Sequence, residues 1–166
     1  MMARQSPAKI AIWVFLAADW VTFSALVIAA WVLGAASDMG EGIQMVPTTR
    51  WAMGSAAALV ISSGAWGLLG RRRRTYVIVA ALAMAVLVAT AVDLVSVVPE
   101  LVFGRSQAVD IVVVIIVYHL IHVVVGTWLL MRGALSRPSQ TGHIVLGWFW
   151  HATVLSFIPI VWLVLT

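Results

Sequence analysis

Five apolar segments of membrane-spanning length follow one another in this chain, with only short polar connections between them. They cover approximately residues 8–33, 51–69, 76–98, 109–131 and 143–165 of the 166. A helix needs roughly 20 apolar residues to cross the hydrocarbon core of a bilayer, where backbone polar groups must be satisfied internally. Five such segments leave no room for a soluble domain. The sequence therefore predicts an all-α membrane protein, a bundle of five transmembrane helices that forms one domain over residues 1–166.

The composition supports this class and excludes several others. Charged residues make up 10% of the chain, against roughly 25% in soluble domains, and the mean hydropathy is +1.08. The net charge of +4 comes from cations at the segment ends, where topology explains them, so we expect no nucleic-acid partner. Cysteine is absent, which excludes disulfides, thiolate metal sites and a cysteine nucleophile.

The cationic residues predict the orientation. If the N-terminus is cytoplasmic, Arg50 and Arg105 lie outside, and eight of the ten Lys and Arg residues lie inside. These eight are Arg4, Lys9, Arg71, Arg72, Arg73, Arg74, Arg132 and Arg137. Cytoplasmic loops carry such an excess of Lys and Arg. The sequence therefore predicts a multi-pass protein of the bacterial inner membrane, with a cytoplasmic N-terminus and a periplasmic C-terminus.

The run Arg71, Arg72, Arg73 and Arg74 has two interpretations. It can serve topology alone, or it can also bind anionic lipid headgroups, since each cation near the surface contributes about 1 kcal/mol to such binding. Both interpretations stay open at the level of sequence.

Five ionisable residues fall within the predicted spans: Asp19, Asp93, His119, His122 and His151. A charged side chain at the bilayer centre costs about 2.5–3.5 kcal/mol on insertion scales, so such residues usually face the protein interior and have a partner. Three interpretations compete: buried polar groups that fix the packing, a proton or ion path, and haem ligation. His143 lies at a membrane edge and is less informative.

The histidines of the fourth segment share one helix face with a glycine. His119, His122 and Gly126 follow i, i+3, i+7 spacing, and Gly126 should let another backbone approach closely. Asp19 and His119 lie at similar depth, so an Asp–His cluster can form at the bilayer centre. His119 and His122 cannot clamp one iron from both sides, whereas a His119–His151 pair stays open.

Small residues and deep tryptophans predict close packing against a partner. The second segment is rich in Gly, Ala and Ser between Gly54 and Gly67, a composition that suits tight helix association. Trp20 and Trp150 lie deep in their segments. We therefore expect the first two helices together to bury a large face against a bigger membrane subunit.

Several motifs, in order along the chain, resemble subunit III of the haem-copper oxidases, the cytochrome c and quinol oxidase family. An apolar run precedes the intramembrane acid Asp19, and Leu59-Val-Ile-Ser-Ser-Gly64 resembles the family's small-residue stretch. Asp93 falls where the next family helix carries an intramembrane Glu. His119-Leu-Ile-His-Val-Val-Val-Gly126 resembles the motif H-G-L-H-V-x-x-G, and Phe149-Trp-His151 resembles the opening of the last helix.

The chain also departs from that family. Leu120 replaces the glycine after the first His, Val154 stands where the family has Asp, and Phe157 where Trp usually follows. These departures suggest a divergent branch, such as the short subunit-III-like protein associated with nitric oxide reductases. The resemblance implies a non-catalytic accessory subunit without haem or copper, which docks on a large catalytic haem-containing subunit, binds phospholipids and supports proton-coupled turnover. Haem with copper or iron belongs to that partner.

Two other functions stay open. One is a small proton or ion channel or transporter that uses Asp19 and Asp93, and the other is a b-type haem membrane anchor. No nucleotide-binding fingerprint, H-E-x-x-H or nucleophile elbow occurs in the sequence. The chain is therefore expected to have no catalytic site of its own.

Overall fold

The computed structural model describes residues 6–36, 49–103, 107–136 and 138–165. These residues contain no strand and form five helices, α1 Pro7–Ala36, α2 Thr49–Leu69, α3 Arg73–Phe103, α4 Gln107–Ser136 and α5 Gln140–Leu165. By length and composition, α1, α3, α4 and α5 can cross a membrane, whereas the described apolar stretch of α2 is shorter, Gly54–Leu69. The all-helical membrane class is thus confirmed for the described residues.

Helices α3 and α4 each end several residues later than predicted, because a single proline or a short polar stretch does not stop these helices. The third helix was predicted to stop at Pro99 but continues to Phe103. Likewise α5 runs through Pro159. Proline removes one backbone donor and crowds the preceding turn, but membrane helices tolerate it when neighbouring groups satisfy the freed carbonyl. The loop predicted over residues 132–142 is shorter, because α4 extends to Ser136.

Four of the helices form a closed ring, and the first lies outside it. Helix α2 packs on α3, α3 on α4, α4 on α5, and α5 on α2. Helix α1 packs on α4 and α5, and within the described ranges it contacts neither α2 nor α3. Most of α1 therefore faces the surroundings of the bundle.

The first two helices, which were predicted to bury one face against a partner, lie apart from each other in the bundle. In the described part of the chain α1 and α2 do not touch, because α5 separates them. Two of the three serines of α2, Ser55 and Ser62, are buried in the ring. A Cβ added to its glycines Gly54, Gly64 or Gly67 would have no described atom of a neighbouring helix within 4 Å, so these glycines lie on the outer face.

The helix ends form two groups at opposite ends of the bundle, and the cations whose side chains are described lie at one of them. Trp13 near the start of α1 packs on Trp148 near the start of α5, with ring centroids 5.2 Å apart. Tyr76 near the start of α3 bonds His143 of α5 and packs on Gly133 near the end of α4. We call this the cationic end, because its described residues include Lys9, Arg71, Arg72, Arg73, Arg74 and Arg132. The grouping is the one that the positive-inside bias predicted.

At two glycines of the four-helix ring, aromatic side chains of neighbouring helices, and not their backbones, occupy the space beside the glycine. A Cβ on Gly126 would lie 3.0 Å from the Trp150 ring, and one on Gly133 would lie 2.8 Å from the Tyr76 ring. The expected backbone approach at Gly126 is therefore wrong: a side chain fills the space. Trp150 is fully buried at the centre of the core, whereas Trp20 lines a groove between α1 and α5.

Candidate functional site

The buried acid of α1 lies against two side chains of α4. Asp19 Oδ1 accepts a hydrogen bond from the Tyr118 hydroxyl at 2.5 Å and lies 2.9 Å from His122 Nε2. The Asp19 side chain is 11% exposed and that of His122 is 14% exposed. Asp19 thus faces protein groups on another helix, as expected for an acid in an apolar segment. We call Asp19, Tyr118 and His122 the polar triad.

The acid pairs with His122 rather than with His119, the histidine expected from depth. Tyr118 and His122 are four residues apart and lie on one face of α4, which is the face that α1 covers. His119 is three residues before His122, so it is rotated by about 60° around the helix. That rotation directs His119 to α5, where its Nδ1 lies 3.2 Å from Ser156 Oγ.

The hydrogen-bond pattern defines where the triad carries its protons. His122 Nδ1 lies 2.8 Å from the carbonyl oxygen of Tyr118, and a carbonyl only accepts, so Nδ1 carries a proton. A hydrogen bond between Nε2 and Asp19 Oδ1, which lie 2.9 Å apart, then requires one proton between them. The pair is either imidazolium with carboxylate or neutral imidazole with carboxylic acid, and its net charge is zero in both states. This neutrality offsets the cost of an acid within the membrane.

Aromatic rings surround the triad. The ring of His122 lies 4.8 Å from that of Tyr118, 6.0 Å from Phe149 and 6.5 Å from Phe15. These rings limit the access of water to the proton shared by His122 and Asp19. The triad can therefore hold a proton and move it between two atoms, but none of the described hydrogen bonds links it to His151 or His143.

His119 is 3% exposed and is only half satisfied. The Ser156 hydroxyl donates to the carbonyl of Thr153 at 2.8 Å, so His119 Nδ1 is the donor toward Ser156. Among the described residues, its buried Nε2 has no hydrogen-bond partner. The ring packs on Phe157, with centroids 5.0 Å apart.

The seam between α2 and α5 is held by consecutive residues on both helices. Ser63 Oγ lies 2.6 Å from His151 Nδ1, and Trp150 Nε1 donates to Ser62 Oγ at 3.0 Å. Ser62 in turn donates to the carbonyl of Leu59 at 2.6 Å. The Ser-Ser and Trp-His pairs singled out in the sequence therefore meet each other.

The sequence interpretation missed both tyrosines and undervalued His143. The Tyr76 hydroxyl lies 2.8 Å from His143 Nδ1, and His143 stacks on Trp66 with centroids 4.5 Å apart. Trp66 in turn packs edge-on against Tyr76. The chain has only two tyrosines, both within apolar segments, and a buried tyrosine hydroxyl usually finds a partner. That signal could have identified both tyrosine–histidine contacts.

Two further groups of predicted site residues differ in their placement. Arg71, Arg72, Arg73 and Arg74 are exposed at the cationic end. Asp93 lies on α3, but its side chain falls outside the described part of the structure. Within the described ranges, no three His, Asp or Glu side chains are grouped closely enough to hold a metal ion.

Comparison with known proteins adds no relative to this picture. No model of a known protein family matches the chain, and a search of curated proteins found no significant match.

Proposed function

We propose that this chain is an accessory, non-catalytic subunit of a respiratory haem-copper oxidoreductase, of the subunit III type. One observation supports the proposal most: residues that carry the resemblance contact one another across helices. Asp19 lies against His122; Ser63 bonds His151. The ring of Trp150 lies in the space at Gly126. Motifs far apart in the sequence thus contact one another in the bundle, as expected if they act in one protein core.

The histidines connect neighbouring helices of the bundle. Each of the four histidines has its Nδ1 within hydrogen-bond distance of a protein oxygen. Three of these oxygens belong to side chains of other helices, on Ser63, Tyr76 and Ser156. His122 also has its second nitrogen against Asp19. The histidines therefore connect helices. Metal-binding histidines make the same kind of hydrogen bond with their second nitrogen, so the assignment of haem with copper or iron to the large catalytic subunit rests on the resemblance.

The polar triad favours a supporting role in proton-coupled turnover. Its shared proton lies between Asp19 and His122 in a region that aromatic rings protect from water. Because α1 lies outside the ring of helices, a partner that packs on α1 would lie beside this proton. The same feature is what a proton channel or transporter would use, so that function is the second candidate.

Purification under mild conditions tests the proposal. We expect the chain to co-purify with a larger membrane subunit whose visible spectrum shows haem, and the separated chain to bind no haem, copper or iron. Metal analysis with mass analysis of the complex gives both results.

Three outcomes of this purification contradict the proposal. One haem per isolated chain, lost in His119→Ala or His151→Ala, would identify a haem anchor. A lone chain that conducts protons in vesicles would identify a transporter. A lone chain with neither property, and with no haem protein attached, would also overturn the accessory role.

The orientation has its own test. We propose that α2 also spans the inner membrane, and that the cationic end faces the cytoplasm. Reporter fusions after Arg72 and Ser136 should then be active only as cytoplasmic reporters, and a C-terminal fusion only as a periplasmic one. A periplasmic signal at Arg72 would show that the orientation is the reverse of the proposed one. Equal signals at Ser136 and the C-terminus would show that α5 does not cross the membrane.

A further inference from the structure

A pocket of about 260 Å³ opens at the cationic end. Its lining consists of Arg71, Arg72, Arg73, Tyr76, Gly133 and Pro138. These residues come from the α2–α3 turn, from α3, from α4 and from the α4–α5 connection. The fourth arginine of the run, Arg74, does not line it. The structure therefore divides four consecutive arginines, which the sequence treats alike, into three at a pocket and one outside it.

The turn between α2 and α3 places these three arginines together. Gly70 has φ of +61°, a left-handed conformation that glycine adopts without steric cost, and it ends α2 as a helix cap. The Arg72 amide then donates to the Gly70 carbonyl at 2.9 Å, and the Thr75 amide donates to the Arg72 carbonyl at 3.0 Å. The chain reverses within a few residues, so the arginines follow at once on the end of α2.

Tyr76 gives the pocket an ordered wall. It is 2% exposed, its hydroxyl is within hydrogen-bond distance of His143, and its ring fills the space that a Cβ on Gly133 would need. These contacts connect the pocket to three helices of the ring. The pocket is therefore part of the packed bundle and not only a surface on which arginines happen to be close.

The charge of the pocket selects an anion. Three guanidinium groups line it, and none of its described lining residues is acidic. The first backbone amides of α3 also begin here, and helix starts favour negative charge. Guanidinium groups match phosphate oxygens in geometry and can donate two hydrogen bonds at once. A phosphate group is the ligand that this set of donors fits.

The depth of the pocket indicates where such a phosphate comes from. At this side of the bundle the apolar span of α3 begins at Arg73, that of α4 ends at Ser136 and that of α5 begins at Gln140. The pocket therefore lies where the apolar stretches meet polar chain. Lipid phosphates occupy this level of a bilayer. We propose that the pocket binds the phosphate of an anionic phospholipid through Arg71, Arg72 and Arg73. Phospholipid binding is among the properties that the resemblance implies; the inference adds the site, its three arginines and the charge of the lipid, and it holds whatever complex the chain serves.

Lipid binding to the full-length chain in mild detergent tests this site. Native mass spectrometry would compare phosphatidylglycerol with zwitterionic phosphatidylcholine of the same acyl chains. We expect the unmodified chain to prefer phosphatidylglycerol, and the triple variant Arg71→Gln, Arg72→Gln, Arg73→Gln to bind it at least about tenfold more weakly.

A second triple variant removes the same charge from the same end outside the pocket. It combines Lys9→Gln, Arg74→Gln and Arg132→Gln. Arg132 lies over the Trp128 ring and lines a neighbouring groove, which shares Gly133 and Pro138 with the pocket but none of its arginines. We expect it to bind phosphatidylglycerol within about twofold of the unmodified chain. Because both variants have the same net charge, general attraction to anionic lipid predicts equal losses and a specific pocket predicts unequal ones.

Other results would overturn the proposal. Equal losses of phosphatidylglycerol binding in the two triple variants would show that the arginines attract lipid only through their overall charge. Equal binding of the two lipids would remove anion selectivity. Displacement of phosphatidylglycerol by equimolar inorganic phosphate would identify a site for free phosphate. If the pocket triple variant does not fold, the single change Arg72→Gln decides, with an expected loss of about fivefold and none for Arg74→Gln.

Discussion

Replacing Trp150 by alanine is expected to lower the free energy of unfolding by about 3 kcal/mol, the lower part of the range for removing a buried aromatic side chain. Trp150 is 0% exposed. Its ring fills the space at Gly126, and its indole N–H donates to Ser62. Lipid tails are as apolar as the core, so the loss comes from dispersion contacts, the cavity and the indole donor that the Ser62 oxygen no longer has.

The measurement is reversible unfolding of the isolated chain in mixed micelles, followed by helix content. Trp31→Ala is the matched control, because it removes the same side chain at a position that is 55% exposed on α1. We expect its effect to stay within about 0.5 kcal/mol. Similar losses in the two variants would contradict the buried position of Trp150.

Replacing Asp19 by alanine is expected to lower the free energy of unfolding by about 2 kcal/mol. The change leaves Tyr118 and His122 without the oxygen that they share, and an unsatisfied buried polar group costs about 1–3 kcal/mol. The loss of stability is not larger, because polar groups of the unfolded chain in the membrane also find hydrogen-bond partners, which makes each interhelical hydrogen bond weak in net terms. In the complex, the same variant should weaken assembly or slow proton-coupled turnover without removing the haem spectrum.

A double-mutant cycle isolates the pair. We expect Asp19→Ala and His122→Ala together to cost less than the two separate losses, with a coupling of about 1 kcal/mol. Thr22→Ala is the control on α1, because the Thr22 hydroxyl donates only to its own helix, at the Ala18 carbonyl. Strictly additive losses, or a loss for Asp19→Ala no larger than for Thr22→Ala, would show that the Asp19–His122 contact does not stabilise the protein.

Apolar length and the position of the cations determined much of the fold from the sequence alone. A long apolar segment in a membrane can only be a helix, since its backbone must satisfy its own polar groups, so the predicted helices are present in the described residues. The predicted end of the second helix, residue 69, is also its observed end, because Gly70 and the arginines follow. The grouping of the cations at one end came from the same positional information.

The tertiary structure alone decided which side chains meet. In a soluble helix, the polar face shows which side is buried, but here lipid and protein interior are both apolar, so the helices show no such face. The sequence therefore did not place α1 outside the ring, direct His122 rather than His119 to Asp19, or bring Tyr76 to His143. A difference of about 60° in rotation on α4 separates the two histidines, and only the packing of α1 and α5 against that helix determines which partner each one contacts.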